Sequence, residues 1–222
     1  MADRTLAPAH PLASRRTTLT ALSDELTGVL SLELENPVAA VDLRVDPRGD
    51  GPAAVAAAVG GPLPARPDSW TALPAGVALR LGPDEWLLTD AVARAEDWEF
   101  HVDEAAAAHG GTAVDVSAQR TTLRVRGPAA RELLSSGCAI DLRPASFPHG
   151  RCAQTLLGQA AVLLVAHEID DLQLLVRTSF AGYVADWLVD AATEFRPGFR
   201  PGFRPEPQPQ PGLRPQPSRG TP

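Results

Sequence analysis

Three side chains that can bind a polar ligand lie close together in the sequence, at Asp115, Ser117 and Arg120. A carboxylate, a hydroxyl and a guanidinium can together hold a polar ligand, or they can pair with charged groups of a neighbouring subunit. A second interpretation is local: Asp115 and Ser117 satisfy backbone groups at a turn, and Arg120 is solvated. We favour the local interpretation, because Asp and Ser side chains commonly hydrogen-bond to the backbone at turns.

Trp86 is a fourth candidate and lies in the motif Leu81-Gly-Pro-Asp-Glu-Trp-Leu-Leu. The Gly-Pro-Asp punctuation predicts a hairpin between strands at 77–81 and 85–89. A tryptophan on such a hairpin serves either as a core residue or as an anchor in a protein interface. Trp86, Asp115, Ser117 and Arg120 are therefore the predicted subunit or ligand contacts.

The residue types present exclude several kinds of catalysis. The chain contains no lysine, so it has no Schiff-base lysine, no P-loop lysine and no lysine-held cofactor. None of its five histidines stands at metal-ligand spacing from another histidine or a cysteine. A Gly-x-Ser-x-Gly nucleophile elbow and a Gly-rich dinucleotide fingerprint are also absent. We therefore predict no catalytic, cofactor-binding or metal-binding residue in this chain.

Charge and hydropathy limit the partners and the location. The formal net charge is −7 and the folded part has no basic cluster, which argues against a nucleic-acid partner. No apolar run approaches the roughly 20 residues that a membrane-spanning helix needs. The N-terminus lacks the apolar region of a secretory signal, so a cytoplasmic location is expected.

The elements that position the candidate site are clearest from Asp115 to Leu134. Thr122, Arg124 and Arg126 alternate with Leu123 and Val125, which predicts a half-buried strand. The Gly-Pro pair that follows predicts the end of the strand, with the proline as the first residue of an Ala-rich helix. The candidate residues therefore lie at the entry to a strand that leads through a turn into a helix.

The order of predicted elements occurs twice. Strand, Gly-Pro-opened helix, strand pair and helix run from Ser31 to Gly111 and again from Thr112 to Phe195, and 31–45 is predicted as a strand pair or one bent strand. Asp42-Leu-Arg-Val before Gly51-Pro-Ala-Ala matches Thr122-Leu-Arg-Val before Gly127-Pro-Ala-Ala. This repetition predicts an α+β fold of two tandem ferredoxin-like βαββα units with largely antiparallel sheets.

Three segments of the chain are predicted. Residues 1–16 form an extended N-terminal arm, 17–195 form the folded domain with internal halves 31–111 and 112–195, and 196–222 form a disordered tail. The tail is assigned from its proline density, which is incompatible with regular helix or sheet.

Six motifs point to one family: His10-Pro-Leu-Ala, Leu81-Gly-Pro-Asp-Glu-Trp-Leu-Leu, Asp115-Val-Ser with the strand, turn and helix after it, Cys138-x-Ile-Asp-Leu, Phe147-Pro and Cys152-x-Gln-Thr. Taken together they resemble the gamma subunit of heterotetrameric sarcosine oxidase. The resemblance covers about His10 to Phe195, and the family is similar in turn to the folate-binding domain of the glycine-cleavage aminomethyltransferase.

The resemblance implies a function that the residues alone do not. It implies a small accessory subunit that supports assembly of a complex with alpha, beta and delta subunits, contacting mainly alpha. That complex demethylates sarcosine oxidatively to glycine and transfers the one-carbon unit to tetrahydrofolate. FAD, FMN, NAD and tetrahydrofolate are then expected on the partner subunits, with none bound by this chain.

Two alternatives remain. One is a free-standing folate-binding or one-carbon-transfer protein of the aminomethyltransferase superfamily. The other is a scaffold that kept the fold and joins a different oxidase.

Overall fold

The computed structural model describes residues 10–198, which form ten strands and five α-helices. The strands are β1 (Ser31–Leu34), β2 (Ala39–Arg44), β3 (Trp70–Leu73), β4 (Gly76–Arg80), β5 (Glu85–Asp90), β6 (Thr112–Asp115), β7 (Arg120–Arg126), β8 (Cys152–Leu157), β9 (Ala160–Glu168) and β10 (Asp171–Arg177). The helices are α1 (Arg16–Glu25), α2 (Gly51–Ala58), α3 (Ala95–Ala107), α4 (Ala130–Ser135) and α5 (Ala181–Ala191). None of the helices in this part of the chain is long and apolar enough to cross a lipid bilayer.

The strands form two five-stranded sheets whose strand pairs are all antiparallel. The first sheet has the order β3-β4-β5-β2-β6, and the second has the order β1-β7-β10-β9-β8. The predicted α+β class with antiparallel sheets is confirmed.

The two sheets have equivalent strand orders, and this equivalence explains the sequence repeat. β2, which carries Asp42-Leu-Arg-Val, and β7, which carries Thr122-Leu-Arg-Val, occupy matching positions second from one edge. The edge strand beside them is β6 in the first sheet and β1 in the second. The Asp42 and Thr122 segments are therefore structurally equivalent as well as similar in sequence.

The membership of the strands in the two sheets does not follow the predicted boundary between Gly111 and Thr112. β1 is the first element of the predicted half 31–111 but completes the second sheet by pairing with β7. β6 follows the predicted boundary but completes the first sheet by pairing with β2. β1 and β2 are therefore not paired with each other, because the Asn36-Pro37 break directs the chain from one sheet to the other.

The architecture has four layers. α2 and α3 cover the outer face of the first sheet, and α1, α4 and α5 cover the outer face of the second. The inner faces pack on each other through a smaller apolar cluster, because antiparallel sheets buried on both faces must carry apolar side chains on both. That cluster consists of Ala40, Leu79, Leu87, Cys152, Leu163, Val165 and Leu175.

Several local details differ from the sequence predictions. Leu12 in the predicted arm is fully buried, and a 3₁₀ turn follows it at Ala13–Arg15, since an apolar side chain there reaches the core. Pro128 lies in a turn, and α4 begins two residues later at Ala130. The proline-rich connection between α2 and the predicted hairpin contains β3. No strand was predicted there because prolines disfavour strands. Residues 1–9 and 199–222, including most of the predicted tail, lie outside the described residues.

Candidate functional site

Three of the four predicted site residues lie between the end of β6 and the start of β7, at one end of the space between the sheets. Asp115 is the last residue of β6 and pairs with Val41 of β2. Ser117 begins a 3₁₀ turn, Ser117–Gln119, and Arg120 is the first residue of β7. Asp115 and Ser117 contact each other, and Ser117 and Arg120 line the same cavity.

Asp115 and Ser117 serve the turn itself. The Asp115 carboxylate accepts hydrogen bonds from the Ser117 amide at 2.8 Å and from the Ser117 hydroxyl at 2.5 Å. The Ser117 hydroxyl oxygen in turn accepts the amide of Ala40 at 2.9 Å, which ties the turn to β2. The local interpretation of these two residues accounts for their contacts, since both are engaged within the chain.

Arg120 is half-buried rather than solvated. Its Nε atom is buried and has no hydrogen-bond partner among residues 10–198. Burial lowers the pKa of the guanidinium, and the charge of Arg177 adds to this, while the charges of Asp42 and Glu85 act in the opposite direction. Unlike the side chains of Asp115 and Ser117, the Arg120 Nε is thus left without a hydrogen bond within the described part of the chain.

A cavity of about 300 Å³ lies beside this turn, between the two sheets. Its walls are mainly apolar, with a few polar groups that include His10 of the N-terminal segment, Glu35 after β1 and Ser117 of the turn. His10 lies at its rim: the ring Nδ1 accepts the amide of Leu12 at 3.0 Å, and burial lowers the pKa of the imidazole. The residues that define the cavity are His10, Glu35, Val38, Leu87, Ser117 and Arg120.

Trp86 lies elsewhere, in the core between the first sheet and its helices. Its side chain is 1% exposed, and its indole Nε1 donates to the carbonyl oxygen of Pro64 at 3.1 Å. The Arg80 guanidinium stacks over the ring, 5.1 Å from its centroid. Of the two roles considered for Trp86, the structure supports the core role.

Sequence reasoning missed a charged network on the second sheet. Arg124 donates two hydrogen bonds to Asp171, one of them at 2.9 Å, and lies 3.4 Å from Glu35. Burial alone would raise the pKa of Asp171, but the hydrogen bonds and charge of Arg124 outweigh it and leave that pKa below its usual value. Gln173 extends the network by donating to Glu35 and accepting from His167.

The side chains of the candidate site can bind a ligand or a partner through charge and shape. In the part of the chain that the structure describes, no three His, Cys, Asp or Glu side chains converge in a way that could hold a metal ion. The buried Cys152 thiol has a pKa raised to about 12, mainly by burial, which makes it a poor nucleophile. Arg120 and the cavity beside it are the features left to contact a ligand or a partner.

Comparison with known proteins decides the family. The family model described as sarcosine oxidase, gamma subunit family, matches residues 46–194. The chain belongs to that family. The sarcosine oxidase gamma subunit of Corynebacterium sp. strain U-96 is 38% identical over 157 residues, covering 69% of this chain and 74% of the relative. The one from Arthrobacter sp. is 37% identical over 159 residues, covering 70% and 76%.

Solved structures agree with this assignment to the gamma family. A chain of the heterotetrameric sarcosine oxidase from Corynebacterium sp. U-96, solved with pyrrole 2-carboxylate, matches with a TM-score of 0.78 and 31% identity. The match covers 85% of this chain and 96% of that one. The glycine cleavage aminomethyltransferase T of Bartonella henselae matches with a TM-score of 0.56 at 11% identity over 77% of this chain and 48% of the enzyme. This second likeness shows a shared fold alone.

Proposed function

We propose that this chain is the gamma subunit of a heterotetrameric sarcosine oxidase and that its role is to support assembly of the complex. The observation that carries the proposal is the structural match across 96% of a chain taken from such a heterotetramer. The 38% identity to a sarcosine oxidase gamma subunit supports it independently.

The proposal extends to partners and chemistry. The partners are the alpha, beta and delta subunits, with alpha providing the main contact. The complex demethylates sarcosine oxidatively to glycine and passes the one-carbon unit to tetrahydrofolate, in the cytoplasm. FAD, FMN, NAD and tetrahydrofolate are bound by the partner subunits in this proposal, and this chain contributes surface and stability.

The use of the candidate side chains within the fold supports an assembly role. Asp115 and Ser117 stabilise a turn through hydrogen bonds, and Trp86 stabilises a loop beneath the first sheet in the same way. The guanidinium of Arg120 remains able to pair with a partner's charge. These contacts suit a subunit that presents a stable surface to its neighbours.

Co-expression tests this role. The four subunits should be produced together and, in parallel, without this chain, and the assembly should be followed by native mass spectrometry. We expect the complete complex to assemble and oxidise sarcosine, and the three-chain preparation to lose assembly, turnover or both. Full assembly and full turnover without this chain would contradict the proposal.

The alternative of a free-standing folate-binding protein has its own test. The aminomethyltransferase match at 11% identity supports the fold but not folate binding. Calorimetric titration of the purified chain with tetrahydrofolate should give no saturable heat if the subunit role is right. Saturable binding at micromolar tetrahydrofolate would favour the alternative.

A further inference from the structure

Two arginines lie directly opposite each other across neighbouring strands of the second sheet. The register of β7 and β10 pairs Arg120 with Arg177. Like charges directly opposite on one face of an antiparallel pair destabilise the sheet. Arg177 is exposed and Arg120 is half-buried, and neither has a carboxylate within 4.0 Å among residues 10–198. Their juxtaposition costs the isolated chain stability.

The other arginines on the same face of β7 provide an internal contrast. Arg124 pairs with Asp171 and lies near Glu35, and Arg126 pairs with Glu33 and also lies 3.4 Å from Asp171. Each arginine on the half of β7 that pairs with β1 therefore has a carboxylate partner. At the opposite end of the strand, Arg120 instead faces a second arginine, Arg177.

The facing wall of the first sheet offsets the charge of the arginine pair only in part. Glu85 lies 2.8 Å and Asp84 lies 3.3 Å from the guanidinium of Arg44. Asp42 is 3.6 Å from the same guanidinium; burial raises the pKa of its carboxyl group, while the charges of Arg44 and Arg120 oppose that shift. Arg44 thus takes the closest contacts of these carboxylates, and Asp42 and Glu85 attract the Arg120 guanidinium through their charge without a salt bridge within 4.0 Å among residues 10–198.

The arginine pair continues into an exposed apolar surface. Val176 pairs with Val162, so Arg177 lies beside Ala161, and Ala161 pairs with Leu156 on β8. Leu156, near the end of the edge strand β8, is 50% exposed. We name this set, Arg120, Arg177, Ala161 and Leu156, the arginine row. It lines an open groove of about 340 Å³ together with Gln154, Thr155 and Val162.

We propose that the arginine row is a docking surface for an acidic segment of a partner subunit, with carboxylates between the two guanidiniums and an apolar side chain on Leu156. Charge complementarity identifies the occupant, because two adjacent guanidiniums on a chain of net charge −7 select a locally negative partner. The inference rests on the proposed role as a subunit and names the surface through which that role is carried out.

Substitution of both arginines tests the surface. The Arg120→Gln, Arg177→Gln variant should be co-expressed with the partner subunits, and its affinity should be measured from the dissociation of the assembled four-chain complex over a range of salt concentrations. We expect an affinity loss of about tenfold or more and a weaker dependence on salt than in the wild type. Leu156→Ser should lower the affinity without changing the salt dependence.

Arg94→Gln is the matched control. It removes the same charge from an arginine that is 77% exposed and whose carboxylate contact is Glu96, two residues along the chain. Its affinity and salt dependence should equal those of the wild type. The melting temperature of the isolated chain gives a second readout: Arg177→Gln should leave it unchanged or raise it by about 1 to 3 °C, because a like-charge contact is removed.

The possible outcomes distinguish failure of the docking surface from failure of the proposed function. If the wild-type chain assembles and the double variant assembles with equal affinity and salt dependence, the docking surface is wrong while the subunit role stands. If the double variant unfolds in isolation, the single variant Arg177→Gln is tested instead, by the same measurements of affinity and salt dependence. If citrate binds the free wild-type chain at the arginine row and the variants assemble normally, the row is a small-anion site and the proposal fails. Failure of the wild-type chain to assemble would overturn both proposals.

Discussion

The indole of Trp86 donates a buried hydrogen bond to the carbonyl oxygen of Pro64, across 3.1 Å. Pro64 belongs to the proline-rich connection between α2 and β3, which has few backbone donors of its own. The tryptophan thus satisfies a carbonyl that the surrounding backbone leaves unpaired, and its ring fills the core beneath β5. This contact fastens an irregular segment to the first sheet.

Replacing Trp86 should therefore weaken the fold. Trp86→Phe removes the donor and leaves the Pro64 carbonyl buried without a partner, which should lower the free energy of unfolding by about 1 to 3 kcal/mol. Urea denaturation of the purified chain measures it. Phe100→Ala is the control, because Phe100 is 70% exposed and its loss should change stability by no more than about 0.5 kcal/mol. Equal stability of the two variants would contradict the core role of Trp86.

Arg131 should be a stronger structural determinant than its charge suggests. This residue of α4 is 9% exposed, and its guanidinium donates to backbone carbonyls, among them Phe147 at 2.9 Å and Leu142. Arg131→Met leaves those carbonyls unpaired and should cost about 2 to 4 kcal/mol in unfolding free energy. Arg143→Met, at a side chain 82% exposed, should cost little. A small loss at Arg131, measured in the same urea titrations, would mean that the connection before β8 is held by other contacts.

Gly127 is required by the turn that ends β7. Its φ is +113°, and a Cβ added there would lie 2.4 Å from the backbone oxygen of Val29. Gly127→Ala should therefore lower the melting temperature by about 5 to 10 °C, corresponding to about 2 to 3 kcal/mol in a chain of this size. Gly49→Ala offers the comparison, since its Cβ would find ordinary contact distances. Equal melting temperatures for these two variants would show that the turn relaxes.

Local patterns made much of the fold predictable. The alternation along β7 predicted its two faces: Leu123 and Val125 are buried toward the helices, and Arg124 and Arg126 lie on the opposite face. The repeated order of elements predicted two similar units. These features depend on residues close in the chain, where the period of two is set by the backbone.

Long-range pairings could not be predicted in the same way. The exchange of β1 and β6 between the sheets depends on which edge each four-residue strand meets, and such short strands carry little register information. Arg177 was missed for the same reason: its pairing with Arg120 joins positions far apart in the chain, and no local spacing indicates it. Asp115, Ser117 and Arg120 were found because they are near neighbours in sequence.

His167 should make stability depend on pH near neutrality. Its ring Nε2 lies 3.0 Å from Gln173 Oε1, and Trp70 packs on the ring at 4.7 Å between centroids. Burial lowers the pKa of His167 below 6.5, aided by the charge of Arg124, although Gln173 and nearby carboxylates oppose the shift. The unfolded chain therefore binds the proton at higher pH than the folded chain does. Stability should be complete above about pH 6.5 and fall as the pH drops through the folded-state pKa.

Urea titrations from pH 8 to pH 5 measure this dependence. His167→Gln should show a shallower loss of unfolding free energy on acidification. The residual slope should include His10, whose pKa is also lowered by burial and therefore acts with the same sign. A wild-type stability that stays constant over this range, or an unchanged slope in the variant, would show that His167 does not resist protonation.

Cys152 should be unreactive in the folded chain. Its side chain is 1% exposed and its Sγ lies 3.4 Å from the carbonyl oxygen of Ser69. Burial, with a smaller contribution from the charge of Asp68, raises the pKa of the thiol to about 12, so little thiolate exists at pH 8. Iodoacetamide at pH 8 should label Cys152 about a hundredfold more slowly in the native chain than in urea, as followed by peptide mass spectrometry. Cys138, which is only half-buried, provides the internal reference in each sample. Equal labelling of Cys152 in the native and unfolded chain would mean that the inner faces of the two sheets separate readily, because that thiol lies in the apolar cluster between them.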